Sequence, residues 1–141
     1  MKIHKCDIPV STGARFQLVD ITSAVAAAVC ESGVTEGFAL VFSPHATAAV
    51  RVNENEPRLH QDMEKFFRGL AVPEMPYRHD ADTVDGRPNA WGHLVSMLMG
   101  VSAAIPVSSG RLEIGAWQSV FFVELDGPRP GRKVLVRVYG E

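Results

Sequence analysis

The sequence predicts an α+β fold: a largely antiparallel or mixed β-sheet with two to three helices, in a single domain over residues 1–141. Three observations carry this. Apolar residues recur at helical spacing in stretches of the first two-thirds of the chain. Period-two runs separated by Gly, Pro and Ser turns crowd the last third. No linker, repeat or low-complexity tract divides the 141 residues, and a chain of this length buries roughly two-thirds of its unfolded surface, enough to fold without disulfides or a structural metal.

The elements follow in order. Weak alternation predicts a strand around residues 2–9. Asp20 is the expected N-cap of a helix whose Ile21, Val25, Ala28 and Val29 share one face and which Gly33 ends. Phe38–Phe42 is a plain apolar strand, broken by Pro44. Beyond it His45, Thr47, Ala49, Arg51 and Asn53 alternate with Ala46, Ala48, Val50 and Val52, a pattern expected of a strand whose polar face walls a pocket. Asn55 is the expected cap of a second helix, with Pro57 in its first turn and Leu59, Met63, Phe66, Phe67 and Leu70 as its buried stripe. Residues 72–89 show no periodicity and read as a long irregular loop, a length more often functional than idle. Asn89 caps a short helix, Ala90–Met99. Strands at 103–107, 111–114, 117–125 and 133–139, joined by tight turns, pair antiparallel.

Composition narrows the function classes. With 46% hydrophobic and 21% charged residues and a net charge of -2, the chain has no basic field to favour nucleic acid or anionic lipid. No apolar run approaches the roughly 20 residues of a membrane span. MKIHKCDIPV lacks the apolar core of a signal peptide, and Cys6 and Cys30 have no CxxC spacing, so a cytoplasmic protein with reduced thiols is expected.

Three of the five histidines sit where elements begin or loops turn. His45 follows a proline at a strand start, His79 lies in the long loop, and His93 falls in the first turns of the helix after Asn89. Three neutral imidazoles meeting at an open position would make a catalytic Zn²⁺ site, although their separations match no local metal motif and isolated loop histidines ordinarily just meet water. The N-terminus of the helix after Asn89 is a natural seat for phosphate, with Arg111 and the Arg129/Arg132/Lys133 cluster as further anion contacts. Trp117 and Gln118, straight after Gly115, offer an aromatic face beside an amide. Each of these also has an ordinary structural reading as core anchor, turn or solvated edge. No P-loop or dinucleotide fingerprint is present.

Together these residues resemble the YjbQ family. The resemblance rests on His45, Thr47 and Ala48 running into Asn53-Glu54-Asn55, on Tyr77 and His79, on His93 after Asn89-Ala90, and on Gly110, Arg111, Leu112, Gly115, Trp117, Gln118 and the later Glu124. Ala46 and Ala116 stand where the family commonly has Thr, so two hydroxyls near the presumed pocket are missing. The resemblance implies an α+β subunit, a homotrimer, and a secondary thiamine-phosphate-synthase activity that joins a pyrimidine diphosphate to a thiazole phosphate with release of pyrophosphate. In that reading His45, His79 and His93 hold a divalent metal, Zn²⁺ rather than Mg²⁺ because imidazoles and not carboxylates supply the donors. Glu54 and His45 are the catalytic candidates, Glu54 as general base or partner of a ligating histidine. Thr47, Asn53, Asn89, Arg111, Trp117 and Gln118 would contact the phosphorylated substrate. The competing readings are a metal-dependent phosphoester hydrolase and a non-catalytic trimer that binds a small anion or metal.

Overall fold

The computed structural model describes all residues from Met1 to Glu141 and has two antiparallel sheets and four helices. The elements are β1 (Lys2–Thr12), β2 (Gln17–Asp20), α1 (Thr22–Ser32), β3 (Gly37–Phe42), β4 (Ala48–Glu54), α2 (Pro57–Leu70), α3 (Arg78–Ala81), α4 (Ala90–Met99), β5 (Ser102–Ser108), β6 (Arg111–Leu112), β7 (Gln118–Glu124) and β8 (Arg129–Gly140). Five strands form one sheet in the order β1-β8-β3-β5-β6 and three form a second in the order β2-β7-β4. The predicted α+β class is therefore the observed one.

Pro44 marks where the chain changes sheets: β3 pairs with β5 and β8, whereas β4 pairs with β7. Alternation then assigns each face of the smaller sheet. Ala48, Val50, Val120 and Phe122 face the larger sheet and, with Val25, Ala28 and Val29 of α1, build the main core. Ala49, Phe121 and Val123 face the other way, onto Trp91, Val95 and Met99 of α4 and the apolar side of α2. The strand after Pro44 thus differs from the expected one-sided pocket wall. Both its faces are packed near Ala48–Val50, because a second layer of helices covers the side that the sequence makes polar further on.

Several local expectations are corrected. Glu56, not Asn55, caps α2, its carboxylate accepting the Leu59 N–H at 2.7 Å; the Asn55 amide instead donates to Asp20 at 3.1 Å. Asp20 precedes the cap residue Ile21 yet accepts the Thr22 N–H at 2.9 Å, so it still satisfies a free donor of α1. The irregular segment 72–89 contains the single turn α3, and β2 is a strand the sequence pattern does not reveal.

α4 lies close against the end of β7. A Cβ on Gly92 would stand 2.7 Å from the Leu125 carbonyl oxygen, and the Ser96 hydroxyl donates to the Ala48 carbonyl at 2.8 Å. Gly92→Ala is expected to push α4 outward and lower stability by about 1–3 kcal/mol, the usual cost of overfilling a packed contact. Urea unfolding measures the loss, and the histidine ring signals in NMR report the displacement of His93.

Candidate functional site

The ends of β7 and β4 and the start of β8 meet around a buried ion pair. Glu124 is fully buried and Arg132 is 8% exposed. Arg132 donates from Nη2 to Glu124 Oε1 at 2.6 Å and from Nε to Oε2 at 2.9 Å, the forked geometry that suits a carboxylate. Three further donors complete Glu124: the N–H groups of Leu125 and Asp126, both at 3.0 Å, and the Thr12 hydroxyl at 2.8 Å. Burial pushes the Glu124 carboxyl up, but the hydrogen bonds from Arg132, Asp126 and Thr12 outweigh it and hold the group below the ordinary glutamate value. Arg132 also donates to the Thr47 hydroxyl at 2.9 Å. Thr47, expected to contact the substrate, is here a buried partner of this pair.

From the same corner a polar chain runs to the long loop. The Asp126 carboxylate is held by Arg129 and accepts the Asn89 amide N–H at 2.9 Å. Burial pushes it up, and the bonds from Asn89 and Arg129 together with the Arg129 and Arg87 charges bring it below the ordinary aspartate value. With its nitrogen committed to Asp126, the amide turns its oxygen to His79 Nε2 at 3.0 Å. The network therefore places a proton on Nε2 of His79 and leaves Nδ1 as the ring atom without a partner in the chain. His93 stands beside it, the two ring centroids 4.9 Å apart, and its ring makes no hydrogen bond within the chain. Tyr77, Arg78, His79, Ala90, His93 and Leu94 line the cleft around this imidazole pair.

His45 lies in a separate cleft with Arg129, Pro130, Gly131 and Arg132. Its Nε2 is 3.0 Å from the Lys133 N–H and 3.1 Å from the Lys133 carbonyl, two residues before Leu135, where the β3–β8 ladder ends. Burial, and after it the Arg132 charge, holds the ring below the usual histidine value, so it is neutral at pH 7. The structure thus brings together two of the three imidazoles expected to share a metal. No group of three His, Cys, Asp or Glu side chains in one chain is arranged to hold an ion. The donor chemistry at the His79/His93 pair, imidazole without carboxylate, fits Zn²⁺ better than Mg²⁺.

The other expected contacts lie elsewhere. Glu54 pairs with Gln118 and Asn53 with Ser119 at the far end of the three-stranded sheet. Six residue steps along β4 from Ala48, about 20 Å at strand rise, separate this end from the ion pair. Trp117 is 77% exposed there, and Gln118 turns its side chain back to the Gly115 N–H at 2.8 Å. Arg111 lines a third cleft with Thr22, Ala26 and Cys30. The expected phosphate seat at the start of α4 is altered as well. Asp80 already accepts the Ala90 N–H at 2.9 Å, and the Asn89 side chain orients His79 without capping the helix. Asp80 and Asp126 are site residues that sequence reasoning missed; Asp126 was legible only as part of an Asp-Gly-Pro turn.

Two outcomes test this geometry. Glu124→Gln leaves the Arg132 guanidinium buried without its counter-charge and is expected to cost about 3–5 kcal/mol. Glu124→Gln/Arg132→Met should cost less than the two single changes summed, which a double-mutant cycle in urea measures. The second outcome is a pH dependence. Their surroundings hold His45, Glu124 and Asp126 below the ordinary values of 6.5, 4.5 and 3.8 for their types. Such groups stabilise the fold above those values and lose that contribution as pH falls toward the native pKa. The urea midpoint should be level above about pH 7, decline below about 6.5 and drop steeply below about 4.5. His45→Gln should remove the first decline only.

Comparison with known proteins agrees with the fold. A family model described as "UPF0047 protein YjbQ-like" matches residues 6–141. A UPF0047 protein of Methanothermobacter thermautotrophicus is 41% identical over 141 residues, covering 100% of this chain and 95% of that protein. The UPF0047 protein YugU of Bacillus subtilis is 37% identical, covering 94% and 97%. The crystal structure of a YbjQ-like protein from Sulfolobus solfataricus superposes with a TM-score of 0.93 at 39% identity, covering 99% of both chains. A hypothetical protein from Aeropyrum pernix gives 0.89 at 42% identity, covering 97% and 98%. The chain belongs to the YjbQ (UPF0047) family.

Proposed function

We propose that the protein is a metal-assisted enzyme acting on a phosphorylated small molecule, and that it works as a homotrimer whose sites are shared between subunits. The named reaction is thiamine phosphate formation. The thiazole ring nitrogen attacks the methylene carbon of the pyrimidine diphosphate, the carbon–oxygen bond breaks, and pyrophosphate departs with the bonding electrons. The observation that carries this reading is the orientation of His79 by the Asp126–Asn89 chain beside His93. Conserving a particular tautomer through a buried carboxylate is what a ligating or proton-handling imidazole requires, and an ordinary loop histidine does not need it.

His79 and His93 would hold the cation, Zn²⁺ by donor chemistry, and when bound it would neutralise charge on the departing phosphate oxygens. The chain's own residues do the rest. Arg129 and Arg132, although paired to Asp126 and Glu124, keep the His45 cleft positively biased for an anion. His45, held neutral, can carry a proton to or from a group in that cleft.

Two features support the shared site. Glu54, Asn53, Trp117 and Gln118 gather at the opposite end of the sheet from the histidines, so one subunit presents two halves that a head-to-tail contact would join. Heterologous contacts of that kind close into rings. The exposed apolar side chains Leu94 and Met97 on α4, 41% and 84% exposed, flank the histidine half and are what a subunit contact would cover.

Mixing separates this reading from its competitors. Glu54→Gln and His79→Ala trimers should each lose at least about a hundredfold in coupling rate, the usual scale of a general acid–base group. Subunits unfolded and refolded together in equal amounts should recover about a quarter of the parental rate, because one contact in four then joins two intact halves. No recovery would overturn the shared site. Free phosphate without thiamine phosphate as product would assign hydrolysis instead. A parental rate in both variants, or less than one Zn²⁺ per three chains by elemental analysis, would remove the catalytic metal reading.

A further inference from the structure

The cavity with the most hydrophobic lining is not at the histidines. It lies between the outer face of the three-stranded sheet and helices α2 and α4, with a volume of ≈ 250 Å³. Phe16, Leu18, Met63, Phe67, Phe121 and Val123 form most of its wall. Nine of the eleven lining residues are hydrophobic, and the two exceptions are Arg51 and Asn53 on β4. None of His45, His79 or His93 borders it.

The two polar residues have a common property: both offer donors that nothing in the chain accepts. Arg51 makes no ion pair and no hydrogen bond, in contrast to Arg58, Arg68, Arg87, Arg129, Arg132 and Arg137, each of which has a carboxylate within 4.0 Å. Its guanidinium lies over the end of α4, where a Cβ on Gly100 would fall 2.2 Å from Nη2, so the absence of a side chain at Gly100 is what admits it. Asn53 spends its carbonyl oxygen on the Glu54 N–H at 2.8 Å, which leaves its amide N–H groups as the free end. A guanidinium fork and an amide donor at the mouth of an apolar cavity ask for one kind of ligand, with an apolar body and an acceptor-only head.

We propose that this cavity binds a small carboxylic acid with an aromatic or branched aliphatic body, its carboxylate on Arg51 and Asn53 and its body between α2, α4 and Phe121. A planar carboxylate matches a single guanidinium bidentately, and Arg51, the one cation at this cavity, balances its single charge. Size agrees. A cavity of about 150 Å³ accommodates benzene, so this one takes a phenyl ring with a short acid chain. Asn53 also belongs to the sheet end that the proposed shared site would join to a neighbour's histidines; the inference goes beyond that site in the apolar cavity itself and in its ligand chemistry.

Calorimetric titration of the full chain with 3-phenylpropionate, its neutral isostere 3-phenylpropan-1-ol and inorganic phosphate tests it. The acid should bind at least about tenfold more tightly than the alcohol, the scale of one charge-assisted contact. Arg51→Met should abolish that preference while leaving alcohol binding within about twofold, and Arg51→Lys should restore part of it. Arg51 is exposed and unpaired, so both variants should fold, which circular dichroism confirms. Equal affinity for acid and alcohol, no binding at millimolar acid, displacement by phosphate, or an Arg51→Met variant that keeps the preference would each overturn the assignment.

Discussion

The Glu124–Arg132 pair is the constraint on which the functional end of the molecule depends. It ties the end of β7 to the start of β8, and through Thr12 and Thr47 it reaches the end of β1 and the segment entering β4. A buried pair of this kind is weak as a source of stability, since hydrophobic side chains of equal volume often serve as well. Its value here is directional. Five hydrogen bonds from four residues converge on one carboxylate, and they fix three segments of backbone: the end of β1, the turn after β7 and the start of β8. Asp126 is thereby delivered to Asn89, and Arg129 and Arg132 to the His45 cleft.

The class of fold was legible because its signals are periodic. The helical stripe of α2 and the alternation in β3 to β8 follow from side-chain period alone, and Pro44 could be read as a break before its role in switching sheets was known. β2 escaped because four residues give too little alternation to register. At the site, the histidines stood out by type and position; His93 lies on α4 as expected, whereas His79 lies on the helical turn α3 inside the segment read as irregular loop. Asp126 and Asp80 did not stand out, since a carboxylate that orients an amide or receives a helix N–H looks in sequence like any turn residue. His45 misled for a related reason. Its ring nitrogen satisfies the backbone of Lys133, a partner 88 residues away that no spacing argument could supply.

The separation of motif residues to two ends of one sheet has a physical consequence. Residues on a β-strand cannot approach one another along it, because the strand's rise is fixed at about 3.3 Å per residue. Neither loop movement nor side-chain rotation in a single subunit would bring Glu54 to the imidazoles. Either these residues serve two unrelated purposes or a second copy supplies the missing half. The apolar surface of α4 beside His93, with Leu94 and Met97 exposed, is the face that a second copy would cover in the proposed arrangement.

The smaller sheet and α4 together form one rigid frame for both cavities. α4 starts at the histidine cleft with Ala90, His93 and Leu94 and ends at the apolar cavity with Leu98 and Met99. Ten residues of helix span about 15 Å, which keeps the two cavities apart but on the same element. Gly92 against Leu125 and Ser96 on the Ala48 carbonyl pin the helix to β7 and β4 at successive turns. Trp91, Val95 and Met99 add buried contacts on the same side. A helix held this way moves only with the sheet beneath it. Its N-terminal end can therefore hold His93 with its ring centroid 4.9 Å from that of His79 on α3 whatever occupies the cavity at its other end.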